Sequence, residues 1–208
     1  MTTPRVLLLP GWQNSGPGHW QTLWEAQFGD LRVTQHDWMQ PLRGDWITRL
    51  EDVVQEQTQP VWLAAHSLGC HLVAAWAAVS HSTAKVQGAL LVAPPDVAHA
   101  DFPPQLHRWV VPVLGKLPFA ATLVASTDDP YCSLASAENY AHHWGAALHN
   151  IGPRGHINAT SGLGDWPQGR GILGLPPGST LRVSANPLAG GEPGGPAKPV
   201  PGVPGLDT

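Results

Sequence analysis

The chain has 208 residues, 42% hydrophobic and 12% charged, enough apolar material for one domain with a sizeable core and too much for a chain disordered throughout. The formal net charge is −4 and no run of lysine or arginine occurs, so neither nucleic acid nor a membrane surface is an expected partner. Two cysteines, Cys70 and Cys132, are too few for a secreted disulfide scaffold, and the apolar run VLLLP at 6–10 is too short for a signal-peptide core or a membrane span. A soluble cytoplasmic protein is expected.

RVLLLP (5–10) reads as a strand buried on both faces. HWQTLWEAQF (19–28) puts Trp20, Leu23, Trp24 and Phe28 on one helical stripe. LRVTQH (31–36) predicts a short strand, and Asp45 caps a helix whose apolar face is Trp46 or Ile47, then Leu50, Val53 and Val54. PVWLAA (60–65) is a second buried strand, followed by an alanine-rich helix at 68–79. VQGALLVAP (86–94) and AATLVAS (120–126) are further strands. Ser133 caps a helix running to Trp144, and AALHNI (146–151) closes the set.

This alternation predicts a mostly parallel sheet flanked by helices on both faces. Residues 94–119 are proline-rich and aperiodic; they form either a partial lid or an ordinary crossover with a short helix. After Leu175 the composition turns to proline and glycine with almost no large apolar residues. A folded domain over 1–175 and a disordered tail over 176–208 are expected.

Ser67 stands at an abrupt junction in WLAAHSLGCHL (62–72), between a buried strand and a helix. It is either a helix N-cap or a nucleophile. Small residues two before and two after a serine allow the strained turn that raises its hydroxyl above the sheet, and Ala65 and Gly69 hold those places. A serine nucleophile needs a base, and the base needs an orienting acid, in the order Ser, Asp, His on this type of scaffold. LVASTDDPY offers Asp129, with Asp128 as competitor or helper, and IGPRGHIN offers His156 after Gly155. Gly11 permits an unusual backbone turn after the first strand, and the amides of Trp12 and of Leu68 are the candidate oxyanion donors. Gly11, His19 and His66 are candidate pocket residues, although His66 reads more readily as a packing or surface residue; Trp20 and Trp24 read as core. No HExxH or CxxC spacing is present, so neither a metal site nor a cofactor is expected.

Taken together, PGWQNSGPGHWQTLWE, DW at 37–38 and 45–46, AHSLGC, STDDPY and GHINATSGLGDWP resemble the small serine hydrolases related to retinoblastoma-binding protein nine, whose bacterial members are described as esterases or as an uncharacterised α/β-hydrolase family. The resemblance runs from about residue 4 to about residue 175. It implies a compact α/β-hydrolase fold with a minimal cap or none, and a catalytic set matching Ser67, Asp129 and His156. The expected activity is hydrolysis of small esters, with amides or thioesters as alternatives, through an acyl-enzyme. The expected partner is a small acyl substrate. The rival expectation is a hydrolase-like protein-interaction module with little turnover.

Overall fold

A computed structural model describes residues 5–99 and 102–175. The expected disordered tail, 176–208, lies outside the described residues. Six strands, all parallel, form one sheet: β1 (Arg5–Leu9), β2 (Leu31–Arg32), β3 (Val61–His66), β4 (Val86–Val92), β5 (Ala120–Ala125) and β6 (Ala147–Asn150), in the order β2-β1-β3-β4-β5-β6. Because strand side chains alternate faces, the continuous apolar runs serve two cores at once. Leu7, Leu9, Leu63, Ala65, Leu91 and Leu123 face the core built with α2 (Arg43–Glu56), α3 (Leu68–Ala77) and α4 (Leu134–Trp144). Val6, Leu8, Ala64, Leu90 and Val124 face the core built with α1 (Trp20–Phe28) and α5 (Pro167–Ile172). The chain steps from β1 outward to β2, then crosses back to β3 on the other side of β1. The connections after β1 and β3 lead to helices on opposite faces of the sheet, α1 and α3, and the carboxyl ends of the strands at this switch point are where such sheets bind ligands.

Several local expectations change. On α1, Trp20, Trp24 and Phe28 are buried as the stripe requires, but Leu23 is half-buried and Gln21 is fully buried instead. Its amide donates to the Ala64 carbonyl at 2.9 Å and its oxygen accepts from Ser15 Oγ at 2.6 Å, so a polar side chain fits that core because both ends are paired. Asp45 does not cap α2: the helix starts at Arg43 and Asp45 lies in its first turn, where a carboxylate still favours the dipole. Trp46 rather than Ile47 takes the buried face. The strand expected over 31–36 pairs only at Leu31 and Arg32. Beyond it, Asp37 Oδ1 gathers the amides of Met39 and Gln40 into a turn.

The described residues between β4 and β5, 93–99 and 102–119, include a short 3₁₀ helix over Pro104–Trp109. Trp109 is buried and donates to the Pro41 carbonyl at 2.8 Å, and Trp144 Nε1 donates to Val113 O at 2.8 Å. These ties fix Trp109 and Val113 to the body of the domain. Helix α5 has no counterpart in the sequence reading: PQGRGI opens on a proline, which suits a first helical position, but holds two glycines in six residues, poor helix residues. Tertiary contacts hold it. Trp166 packs edge-on to Trp20 at 5.4 Å, and buried Arg170 pairs with Asp30 and lies 3.7 Å over the Phe28 ring.

The buried histidines make the fold acid-sensitive. Burial drives the His71 pKa down to about 4, against the pull of its bond to the Pro95 carbonyl. Below pH 6.5 the unfolded chain takes up a proton that the folded His71 refuses until about pH 4. Its contribution to stability is thus complete above pH 6.5 and declines on acidification, by about 3 kcal/mol at pH 4. Burial holds His19 down at about 3 and His66 well down, in the same direction. Glu51 behaves differently. Burial works to raise its pKa, but hydrogen bonds from Ser80, Ser82, Gln55 and Trp76 outweigh it and hold the value at about 2. Its contribution is lost only below about pH 4.5. Urea titrations at pH 7, 5.5 and 4.5 should show stability falling across this series, and His71→Phe should flatten the slope. Constant stability over that range would contradict the assignment of neutral buried histidines.

Candidate active site

Ser67 follows the last residue of β3 with φ 54° and ψ −126°, a backbone state that costs a non-glycine residue about 1–3 kcal/mol. The neighbouring sequence makes the turn sterically feasible. A Cβ on Gly69 would collide with the Leu9 carbonyl, and a Cβ on Gly11 would lie 2.7 Å from Ser67 Cβ. Gly11 is therefore required for close approach of the β1 loop, not for an unusual turn, since its φ is not left-handed. Ser67 occupies the N-cap position of α3, but its hydroxyl caps nothing. Instead Ser67 Oγ lies 2.9 Å from His156 Nε2.

His156 is carried on the loop after β6 between two left-handed residues, Gly155 (φ 54°) and Ile157 (φ 50°). The strained, β-branched Ile157 is fully buried, so packing fixes the loop. On the far side of the ring, Nδ1 lies 3.0 and 2.9 Å from the two oxygens of Asp129, whose Oδ1 also accepts the Tyr131 amide at 2.9 Å. Only 9% of the His156 side chain and 3% of the Asp129 side chain are exposed, so this chain of hydrogen bonds is shielded from bulk water. Asp128 does different work. Its Oδ1 accepts from Ser126 Oγ and from the Gly155 amide, both at 2.7 Å, and these bonds pull its pKa down. It ties the acid loop to the histidine loop without touching the imidazole.

The other candidates fall around this line. Leu68 begins α3, and its amide would be 3.1 Å from a Cβ on Gly11, so it borders the β1 loop. Among the described residues, neither the Trp12 amide nor the Leu68 amide makes a hydrogen bond. The loop after Trp12 is held by Gln13 and Asn14 in left-handed conformations, by Gln13 N to Trp38 O and by Trp12 Nε1 to Met39 O, both 3.1 Å. His66 is buried and its Nε2 donates to the His156 carbonyl at 2.9 Å, ring to ring at 4.9 Å. His19 caps α1 through Nδ1 and packs against His66 at 4.6 Å. Tyr131, edge-on to His156 at 4.7 Å, escaped the sequence reading except as part of a motif. Cys132 lines the site, but burial and the charges of Asp129 and Asp96 push its thiol up to about 12, which leaves it protonated and unreactive at neutral pH.

These groups open on a cleft of about 890 Å³ that includes Gly16, Asp96, Phe102, Leu106, Asn158 and Thr160 in its walls. Among the described residues, no cluster of three or more His, Cys, Asp or Glu is placed to hold a metal, and no helix is long and apolar enough to cross a membrane.

The solved structures most informative for comparison share this arrangement of strands and helices. A YdeN-like hydrolase from Pectobacterium atrosepticum is 30% identical, with a TM-score of 0.69 over 82% of this chain and 89% of its own. The ydeN gene product of Bacillus subtilis is 20% identical, with a TM-score of 0.66 over 83% and 97%. The esterase RhEst1 from Rhodococcus sp. ECU1013 is 14% identical, with a TM-score of 0.56 over 74% and 84%, a likeness of fold alone. None of the curated proteins compared matches. The fold is that of the α/β hydrolases, with no evident cap. The family model described as serine hydrolase matches residues 6–174, and the chain belongs to that serine hydrolase family.

Proposed function

We propose that the chain hydrolyses small carboxylic esters with Ser67 as nucleophile, His156 as general base and then general acid, and Asp129 as the group that orients and stabilises the imidazolium. The observation that carries this reading is the unbroken line Asp129–His156–Ser67, with 2.9 Å at each end of the imidazole. His156 Nε2 takes the hydroxyl proton as Ser67 Oγ attacks the acyl carbon. The negative charge that forms on the carbonyl oxygen meets the amides of Trp12 and Leu68, each donor being worth about 10²–10³ in turnover. The imidazolium returns its proton to the departing alcohol. Water then repeats the cycle on the acyl-enzyme and frees the acid. His66 acts on the reaction indirectly, by holding the His156 backbone.

The walls of the cleft commit the chain to no single acyl length, so the test is a panel: butyrate offered as p-nitrophenyl ester, p-nitroanilide and thioester. The ester should turn over fastest, because its leaving group needs least protonation by His156. Binding without turnover of any member would overturn the proposal in favour of an interaction module.

A further inference from the structure

The two walls of the cleft differ in chemistry. Trp12, Phe102 and Leu106 belong to the core of α2–α4 and make one wall largely apolar. Its charged exception, Asp96, is held by Ser136 Oγ and the Ala98 amide. The opposite wall stands over α1 and is polar, with Asn14, His19, Asn158 and Thr160. Trp20 Nε1 bonds to the Ile157 carbonyl at 3.0 Å, and a Cβ on Gly18 would meet Ala159 Cβ at 3.9 Å, which fixes the histidine loop to the N-terminus of α1.

Within that polar wall His19 is 4% exposed, yet its Nε2 has no hydrogen-bond partner among the described residues. Nδ1 accepts the Gln21 amide at 3.1 Å, so the single proton of the neutral ring sits on Nε2. Burial, Arg32 and His156 hold the pKa at about 3, and the ring stays neutral at any working pH. An unpaired buried donor is unfavourable, and an acceptor supplied by a ligand relieves it.

We propose that His19 Nε2–H is the donor of a leaving-group subsite, and that the preferred substrates are esters whose alcohol carries a further acceptor oxygen, as a hydroxyl, ether or carbonyl. This rests on the reading of Ser67 as the acyl acceptor. The alcohol side follows from proton delivery: His156 Nε2 must reach the departing oxygen, so the alcohol lies against the histidine loop, beside Asn158 and the His19–His66 pair. The acyl chain takes the apolar wall.

An isosteric pair tests the idea: 2-hydroxyethyl butyrate and propyl butyrate, compared by kcat/KM. The wild type should favour the hydroxyethyl ester by about 10- to 100-fold. His19→Asn retains a capping oxygen for Gln21 but lacks a donor at the reach of the ring, and His19→Phe retains the ring without nitrogen; in either the preference should fall close to unity. In Ser67→Ala protein carrying ¹⁵N-histidine, the His19 Nε2–H resonance should move on addition of the hydroxyethyl ester and stay in place with the propyl ester. A wild-type ratio of one or less, a preference that survives in a folded His19 variant, or an unmoved resonance overturns the proposal. A merely structural role for His19 would lower both rates together and leave the ratio standing. Hydrolysis of neither ester would instead overturn the reading of Ser67.

Discussion

Ser67→Ala should lower turnover of a small ester by about a millionfold, roughly 8 kcal/mol of transition-state stabilisation, while leaving the fold in place. The size follows from what remains. Without Oγ there is no acyl-enzyme, and His156 has no hydroxyl to activate. Trp12 and Leu68, the proposed oxyanion donors, still line the cleft, so binding and a residual rate above water should persist. Stability should change little, because the hydroxyl makes no cap bond to α3 and, among the described residues, its one side-chain partner is His156. Thermal melts beside the kinetics separate the two effects. A loss of less than tenfold with a native melt would contradict the assignment of Ser67.

The second large effect separates two adjacent acids. Asp129→Asn should reduce turnover by about 10⁴-fold, because an amide facing His156 Nδ1 can present N–H where the ring needs an acceptor and so favours the wrong tautomer. Asp128→Asn should be far milder. Its Oδ1 accepts from Ser126 Oγ and from the Gly155 amide, and an asparagine oxygen can accept both. Comparing kcat for the two variants on the same ester decides the matter; equal losses would mean that the acid loop acts as a unit and that Asp129 has no separate role.

These expectations show how far the linear chain speaks. The elbow was legible because its demands are local: an apolar strand, a serine flanked at two residues by Ala65 and Gly69, and a helix-forming run. That Asp129 and His156 lie on strand-end loops was legible because both follow runs that read as strands, which form β5 and β6. What stayed hidden depends on contacts between distant segments. His66 bonds a carbonyl ninety residues away, and nothing in AHSLG announces it. Gly11 proved essential for closeness to Ser67 rather than for turning, a distinction visible only once β1 and β3 lie side by side. Adjacent Asp128 and Asp129 have identical local chemistry; only the direction of each side chain, set by Ser126, Gly155 and His156, tells them apart. Helix α5 defies local propensity and is held by Trp166 and Arg170 against α1. The polar wall of the cleft was legible only as a pocket candidate at His19. Its unpaired nitrogen is a property of the folded ring.

The most direct measurement is covalent capture of the nucleophile. A fluorophosphonate probe added to the native protein, followed by intact mass and peptide mapping, should give one phosphonyl adduct, on the Ser67 hydroxyl, that disappears on prior unfolding and in Ser67→Ala. Absence of an adduct on the native protein, or an adduct that persists in Ser67→Ala, would contradict the account at its centre.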